Sequence, residues 1–360
     1  MIKVMTTLSM KKRRSTLLLR SLAYNISASP EKLNLKHCAD LLYSMCTLNF
    51  LDENLLSRVA LDISSELQVQ SSLKKSSVIG SIITSLGLLK YKNPVLLDLL
   101  TSWIANNSRT CRSQDIFSLF ITLATLNYMP DKADECFNAI NPLLTEVEAE
   151  TPVVWLDHIW SKVLLNIATP EEISNVFSNN FLSSLLNNSS EMCFSKKLKL
   201  LNIHGASECI MKDYSGNKLT DFALVKVIVP RRKEKIEMSE SIINSLKNLM
   251  KTEIYLKTNV DTGYGFLIDA ECVLDTKCNP KALNVDNSEG IRIAILSLDY
   301  HDMTRGRIEL TGINAFAKRL LEAKGYKVLT VPFNEFNTKD KLVARVQYLE
   351  KQFKELVKNV

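Results

Sequence analysis

Glycine and proline are scarce, ten and nine in 360 residues. With few breakers and abundant Leu, Ser, Lys and Asn, the chain is expected to be mostly helical. No apolar run approaches the roughly 18 residues needed to span a bilayer, so a soluble protein with no membrane span is expected. The eight cysteines contain no C-x-x-C and most sit inside apolar stretches such as "LLYSMCTL". Neither a zinc site nor a disulfide framework follows from that spacing, and buried, reduced thiols do. They fit cytosol, nucleus or mitochondrial matrix. Only four histidines are present, and His204 has no second ligand at metal spacing. It reads as a packed or partly exposed helix residue.

What the chain does have is uneven charge and repetition. The net charge is +6, yet residues 1–30 carry Lys3, Lys11, Lys12, Arg13, Arg14 and Arg20 with no acid before Glu31. That stretch has the composition of a mitochondrial transit peptide; it can equally be a first basic helix of the fold. Three later segments align: "LYSMCTLNFLDENLL" (42–56), "IITSLGLLKYKNPVLL" (82–97) and "LFITLATLNYMPDKAD" (119–134). Each is an amphipathic helix ending in Leu-polar-aromatic, then a short turn and a second helix. Phe50, Tyr91 and Tyr128 occupy the aromatic position, and "HIWSKVLLNIATPEEI" (158–173) is a weaker copy with Ile167 there. One helix pair cannot bury its apolar face alone, so a repeat solenoid is expected over residues 1–170. Lys74, Lys75, Lys90, Lys92, Arg109 and Arg112 are candidate surface cations, but they form no regular column.

Residues 171–250 stay helix-like. "PRRKEKIEMSESIINSLKNLM" (230–250) reads as a charged joint followed by a helix capped by Ser239. The pattern changes in residues 251–360. "YGFLIDAECVL" (264–274) and "IRIAILSLDY" (291–300) read as strands, "TGINAFAKRLLEAKGY" (311–326) as a helix ending at Gly325, "KVLTVPF" (327–333) as a strand, and 338–358 as a closing helix. The crossover predicts parallel pairing of the last two strands.

The order "IAILSLDYHD…RGRIELTGINAFAKRLLEAKGYKVLTVPFNEF…KLVARVQYLEKQF", over 291–353, resembles the RAP domain of the FAST kinase domain-containing proteins. "KLKLLNIHGASECIMKDYSGNKL" is similar to their second FAST module, and the helical repeats to their leucine-rich first module. The resemblance implies an α plus α/β fold: a helical solenoid, a helical second module with linker, and a small RAP domain resembling a reduced PD-(D/E)xK nuclease. It also implies an RNA-associated factor of the mitochondrial matrix that acts on processing or stability of mitochondrial transcripts, with other RNA-processing proteins as possible partners and no small-molecule substrate. A kinase is not implied. The chain has no G-x-G-x-x-G loop, no H-R-D and no D-F-G, and "GYG" at 263–265 reads as a turn.

In the nuclease pattern, one strand supplies an Asp and the next an acid and a Lys two residues on, which hold Mg²⁺ over the phosphate. Asp269 matches the first acid. The next strand offers Ser297-Leu298-Asp299, so a hydroxyl stands where the second acid belongs and an acid where the Lys belongs. These positions are expected to be vestigial, with no catalytic residue and no cofactor. A divalent-metal ribonuclease on Asp269 and Asp299, with Glu271 nearby and His301 as a base, is the alternative; a scaffold binding peptides in the solenoid groove is another. Residues 291–360 hold 13 Lys and Arg against 8 Asp and Glu. Arg305 and Arg307 after the strand, and Lys318 and Arg319 on the following helix, are the expected RNA contacts.

Overall fold

The computed structural model describes residues 1–69, 76–186, 192–219, 227–250, 252–283 and 290–358. They form two compact units: Met1–Ile167 with Thr304–Ile313, and Ala168–Met303 with Asn314–Val360. Among the described residues none of the helices is long and apolar enough to cross a membrane.

Unit 1 contains helices α1 (Ile2–Met10), α2 (Thr16–Ala28), α3 (Leu35–Thr47), α4 (Glu53–Val69), α5 (Ser76–Leu89), α6 (Pro94–Asn106), α7 (Ser113–Thr125), α8 (Ala133–Ile140) and α9 (Pro152–Leu164). Odd-numbered helices pack on one another in order, and α2, α4, α6 and α8 do the same, so the helices form two layers. The reason is visible at the ends of the odd helices. Lys12, Asn49, Lys90, Asn127 and Asn166 all have positive φ, between 44° and 61°. Each of the three asparagines is followed by the 6→1 bond of a Schellman turn: Phe50 N to Met45 O, Tyr128 N to Leu123 O, and Ile167 N to Lys162 O. The turn throws the next residue, Phe50 or Tyr91, back into the core, where both are 5% exposed.

The same turn at Lys12 and Arg13 marks a copy earlier than the three that align by sequence. Met5 and Leu19 are fully buried, so the basic opening stretch is folded as helices of this unit. Even helices start where the turn chemistry predicts. Asn93 accepts from the Leu96 N–H ahead of Pro94, and in unit 2 Thr169 and Glu172 form a reciprocal capping box around Pro170.

Helices α5 and α7 approach closely at two glycines. A Cβ on Gly80 would lie 2.0 Å from Asp115 Oδ1, and one on Gly87 2.7 Å from Thr122 Oγ1. Asp115 is buried but satisfied: Ser76 Oγ and the Arg112 guanidinium donate to it. Phe117 and Phe120 fill the layer behind, each stabilising the fold by about 1.5–3 kcal/mol through burial. Lys74 and Lys75 lie outside the described residues. Lys92 is buried against Glu309 at 2.6 Å, and Arg112 is committed to Asp115.

Thr304–Ile313 completes this unit. Tyr91–Lys92 and Arg305–Gly306 form a short parallel ladder, and Arg305 N donates to Lys90 O at 2.7 Å. Gly312 sits against the end of α7, where a Cβ would come 1.7 Å from Ala124 O. The Leu310-Thr311-Gly312 sequence therefore needs glycine for a backbone approach.

Unit 2 carries helices α10 (Pro170–Val176), α11 (Asn179–Leu186), α12 (Phe194–Gly205), α13 (Lys233–Met250), α14 (Gly312–Ala323, from Asn314 onward) and α15 (Leu342–Lys358). Its strands are β1 (Lys257–Asp261), β2 (Leu267–Leu274), β3 (Pro280–Lys281), β4 (Ile291–Leu298) and β5 (Lys327–Pro332). The sheet order is β1-β2-β4-β5 with β3 added to β2. Pairing is antiparallel except for β4 with β5, the parallel pair that the helix crossover predicts. On one face Ile293 and Ile295 of β4 meet Ile242 and Leu246 of α13 and Leu349 and Phe353 of α15. Ala294 and Leu296 face the other way, with Leu321 of α14. Gly325 (φ +83°) ends α14 as expected.

Helix α13 shares one core with the sheet. Ser239 is not its cap. The charged residues before it are good helix formers, so the helix opens at Lys233 and Ser239 is buried within it.

Candidate functional site

The antiparallel pairing of β2 with β4 brings Asp269, near the start of β2, beside the end of β4 at Ser297. Asp269 is 1% exposed. Its Oδ2 accepts from the Ser297 N–H at 2.6 Å, and its Oδ1 from Ser239 Oγ of α13 at 2.7 Å. Arg231 completes the shell, with its guanidinium 3.0 Å from Oδ1. Arg231 is itself positioned by Ser239 Oγ and Asn259 Oδ1, at 3.3 and 3.2 Å.

Asp299 and Asp302 lie one turn beyond the strand. Asp299 caps the short 3-10 turn Tyr300–Asp302, accepting from the N–H groups of His301 and Asp302, while Asp302 accepts from the Asp299 N–H. Arg232 approaches both carboxylates, 3.5 Å from each. Lys235 reaches Asp302 at 2.6 Å and also donates to the carbonyl of Ser297. Three carboxylates therefore meet three cations delivered by residues 231–235. Buried charges of one sign are costly, and direct pairing with hydrogen-bonded partners offsets that cost.

The positions expected to be vestigial, Asp269, Ser297 and Asp299, do come together. Ser297 Oγ is fully buried with no hydrogen-bond partner among the described residues. Glu271 does not join them; it accepts from Tyr326 Oη at 2.9 Å and pairs with Arg292. His301 is exposed and stacks edge-on with Tyr300. Among the described residues, no group of three or more His, Cys, Asp or Glu side chains is arranged to hold a metal ion. The chemistry open to the cluster is charge neutralisation and positioning of the β4 end.

The residues missed from sequence are Arg231, Arg232 and Lys235. "PRRKEK" read as a charged joint, whereas Arg231, Arg232 and Lys235 are the counter-charges of the acids. Arg231 and Arg232 precede α13 and Lys235 lies in its first turn, so no single helical periodicity marks the three.

The four expected RNA contacts are divided between the units. Arg305 and Arg307 belong to unit 1, Lys318 and Arg319 to unit 2. Arg305 is buried, with 8% exposure, because its segment is drawn into the ladder with Tyr91 and Lys92. Arg307 is exposed. Lys318 pairs loosely with Glu322 at 3.8 Å. Arg319 is half-buried and lies 5.7 Å from the Phe316 ring, and burial pulls its pKa below the ordinary value. It does not point freely away from the core.

The cysteines are free. Burial pushes the Cys38 and Cys272 thiols up to about 12, so both stay protonated, and Cys193 is exposed. His158 is packed among Phe117, Phe120 and Trp155, and burial lowers its pKa to about 3.

Two layers of stacked helices followed by a small mixed sheet with helices on both faces define an α plus α/β protein. Comparison with known families gives the class a name. The description "FAST kinase-like protein, subdomain 1" matches residues 116–186 and "subdomain 2" matches residues 197–282. The chain thus carries matches to both FAST kinase-like subdomains, in that order. FAST kinase domain-containing protein 4 of Homo sapiens is 24% identical over 93% of this chain and 55% of its own length. FAST kinase domain-containing protein 3, mitochondrial, of Rattus norvegicus is 23% identical over 71% of this chain and 40% of its own. FAST kinase domain-containing protein 1, mitochondrial, of Mus musculus is 24% identical over 76% and 36%. The chain spans about half the length of the fourth-member relative it matches.

Proposed function

We propose that this chain is a non-catalytic RNA-binding factor of the mitochondrial matrix, acting in processing or stability of mitochondrial transcripts. In this reading unit 1 is an α-helical repeat solenoid, and the sheet of unit 2 is a RAP-type domain on a reduced PD-(D/E)xK nuclease fold. Two relatives carry "mitochondrial" in their names, which supports the compartment. The observation that carries the non-catalytic part is the pairing of Asp269, Asp299 and Asp302 with Arg231, Arg232 and Lys235. A metal-dependent nuclease needs its carboxylates open to a divalent ion, and here guanidinium and ammonium groups hold them.

The test is a binding and cleavage assay on labelled RNA, in Mg²⁺ and in EDTA, with wild type and Asp269→Asn/Asp299→Asn. Salt-sensitive binding without metal-dependent cleavage is expected. Cleavage in Mg²⁺ that the double variant abolishes would establish the ribonuclease alternative instead. Binding that does not weaken with salt, or no binding at all, would favour a protein-interaction scaffold.

A further inference from the structure

A second feature of unit 2 uses none of the paired acids. Helix α12 ends at Gly205 and continues as a five-residue π-helical turn, Ala206–Ile210. Such turns cluster at functional sites because they redirect side chains out of helical register. This one borders a cavity of about 370 Å³ lined by His204, Glu208, Cys209, Lys212, Lys218 and Tyr264.

Tyr264 is placed there deliberately by its neighbours. It sits between Gly263 (φ +77°) and Gly265 (φ +85°), conformations that glycine adopts without strain. Asn202 Nδ2 donates to its carbonyl at 2.7 Å. Gly205 makes room for it, since a Cβ there would lie 3.0 Å from Tyr264 Cγ and 2.5 Å from Leu320 Cδ1. The "GYG" turn is thus a mount for an aromatic ring.

The polar lining is complementary in kind. Tyr264 Oη donates to Glu208 Oε2 at 3.0 Å, and His204 Nε2 is 3.5 Å from the same oxygen. The Glu208 side chain remains 48% exposed. Lys212 and Lys218 are exposed on the lining, and Lys324 Nζ stands 4.8 Å from the Tyr264 ring centroid. A ligand fitting this set has a flat π face, hydrogen-bond donors for a carboxylate, and negative charge for lysines. The volume suits a small molecule of mononucleotide size. Among the bases, guanine alone presents two adjacent N–H donors, N1–H and N2–H, to the two oxygens of one carboxylate. Aromatic contact adds affinity to any base and selects none.

We propose that this cavity is a guanine-nucleotide pocket, with Glu208 reading the base edge, Tyr264 and His204 contacting the ring, and Lys212 and Lys218 holding the phosphate. The nucleotide comes either free or as an unstacked residue of an RNA strand. Only the second source rests on the RNA-binding reading.

The full chain is titrated calorimetrically with GMP, AMP and UMP, and by fluorescence anisotropy with an oligouridine carrying one internal guanosine against all-uridine RNA. Wild type, Glu208→Gln and Lys212→Ala/Lys218→Ala are compared, with thermal melting to confirm that each is folded. GMP should bind about tenfold or more tightly than AMP or UMP, a preference worth about 1.4 kcal/mol. Glu208→Gln should erase it, and the lysine variant should weaken all three nucleotides together. A guanosine preference seen only with free GMP assigns the pocket to free nucleotide; one seen in the oligonucleotides assigns it to a strand. GMP binding that depends on Glu208, with no RNA affinity, keeps the pocket and removes the RNA reading. RNA binding with no guanine preference in either arm overturns the pocket and leaves that reading standing.

Discussion

In unit 1 the polar groups that go inside act singly, at separate helix ends. Asp115 ties together the starts of two helices, Lys92 accompanies the carbonyl of Asn127, and left-handed asparagines close helix ends. In unit 2 the charged groups gather at one place: three buried or half-buried acids around the end of β4 and three cations from the segment that opens α13. The first arrangement repeats, so loss of one member is local. The second is a single cluster, so removing one member leaves an opposite charge buried and unpaired. A repeated helix stack can tolerate variation along its length, whereas a sheet end of this kind depends on every member.

That contrast orders the expected effects. Arg231→Ala, which strands Asp269, should destabilise unit 2 by about 3 kcal/mol or more, measured by denaturant unfolding. A loss comparable to an exposed ion pair, below about 1 kcal/mol, would break the contrast. Gly312→Ala should cost roughly 2–3 kcal/mol in unit 1, because the added Cβ meets the Ala124 carbonyl and backbone cannot yield as a side chain does. Hydrogen exchange should show the Thr304–Ile313 amides opening first; unchanged protection there would refute the tight approach.

The third effect depends on pH. His158 has a folded pKa of about 3 against an ordinary 6.5, so the unfolded chain binds the extra proton between those values. The neutral ring's contribution is fully present above pH 6.5 and is lost as pH falls toward 3. Roughly one unit below 6.5 the loss is about 1.4 kcal/mol. His158→Leu should flatten that part of the stability–pH curve; an unchanged slope would show that other groups set it. The smallest effect is at a helix end. Asn166→Gly, at φ 61°, should leave stability within about 0.5 kcal/mol, while Asn166→Ala should lose about 1 kcal/mol. Equal melting temperatures for the two would count against the left-handed turn as the repeat's punctuation.

The same contrast explains what could be read from sequence. Helix pairs, the Phe50–Tyr91–Tyr128 spacing and the parallel β4–β5 crossover are written in local periodicity, and local periodicity survives folding. The copy at Lys12 escaped because Arg13 stands where the aromatic should be. Asp269, Ser297 and Asp299 were legible as positions of the site, and Asp302 was not singled out. Their counter-charges were not, since Arg231, Arg232 and Lys235 lie some 30–70 residues upstream of the acids in sequence. Ser239 resembled a cap because Ser before an apolar stripe usually is one; only tertiary packing turns it toward Asp269. The burial of Arg305 was hidden for the same reason, as a loop residue drawn into a ladder with Tyr91 that is encoded 214 residues away.

The central claim is that Asp269 and Arg231 form a coupled pair that holds the sheet end closed. A double-mutant cycle with Arg231→Ala, Asp269→Asn and the double variant, read by denaturant unfolding, tests it most directly. The account predicts a coupling energy of about 2 kcal/mol or more, the double variant being less destabilised than the sum of the singles. Additive effects, within about 0.5 kcal/mol, would contradict it.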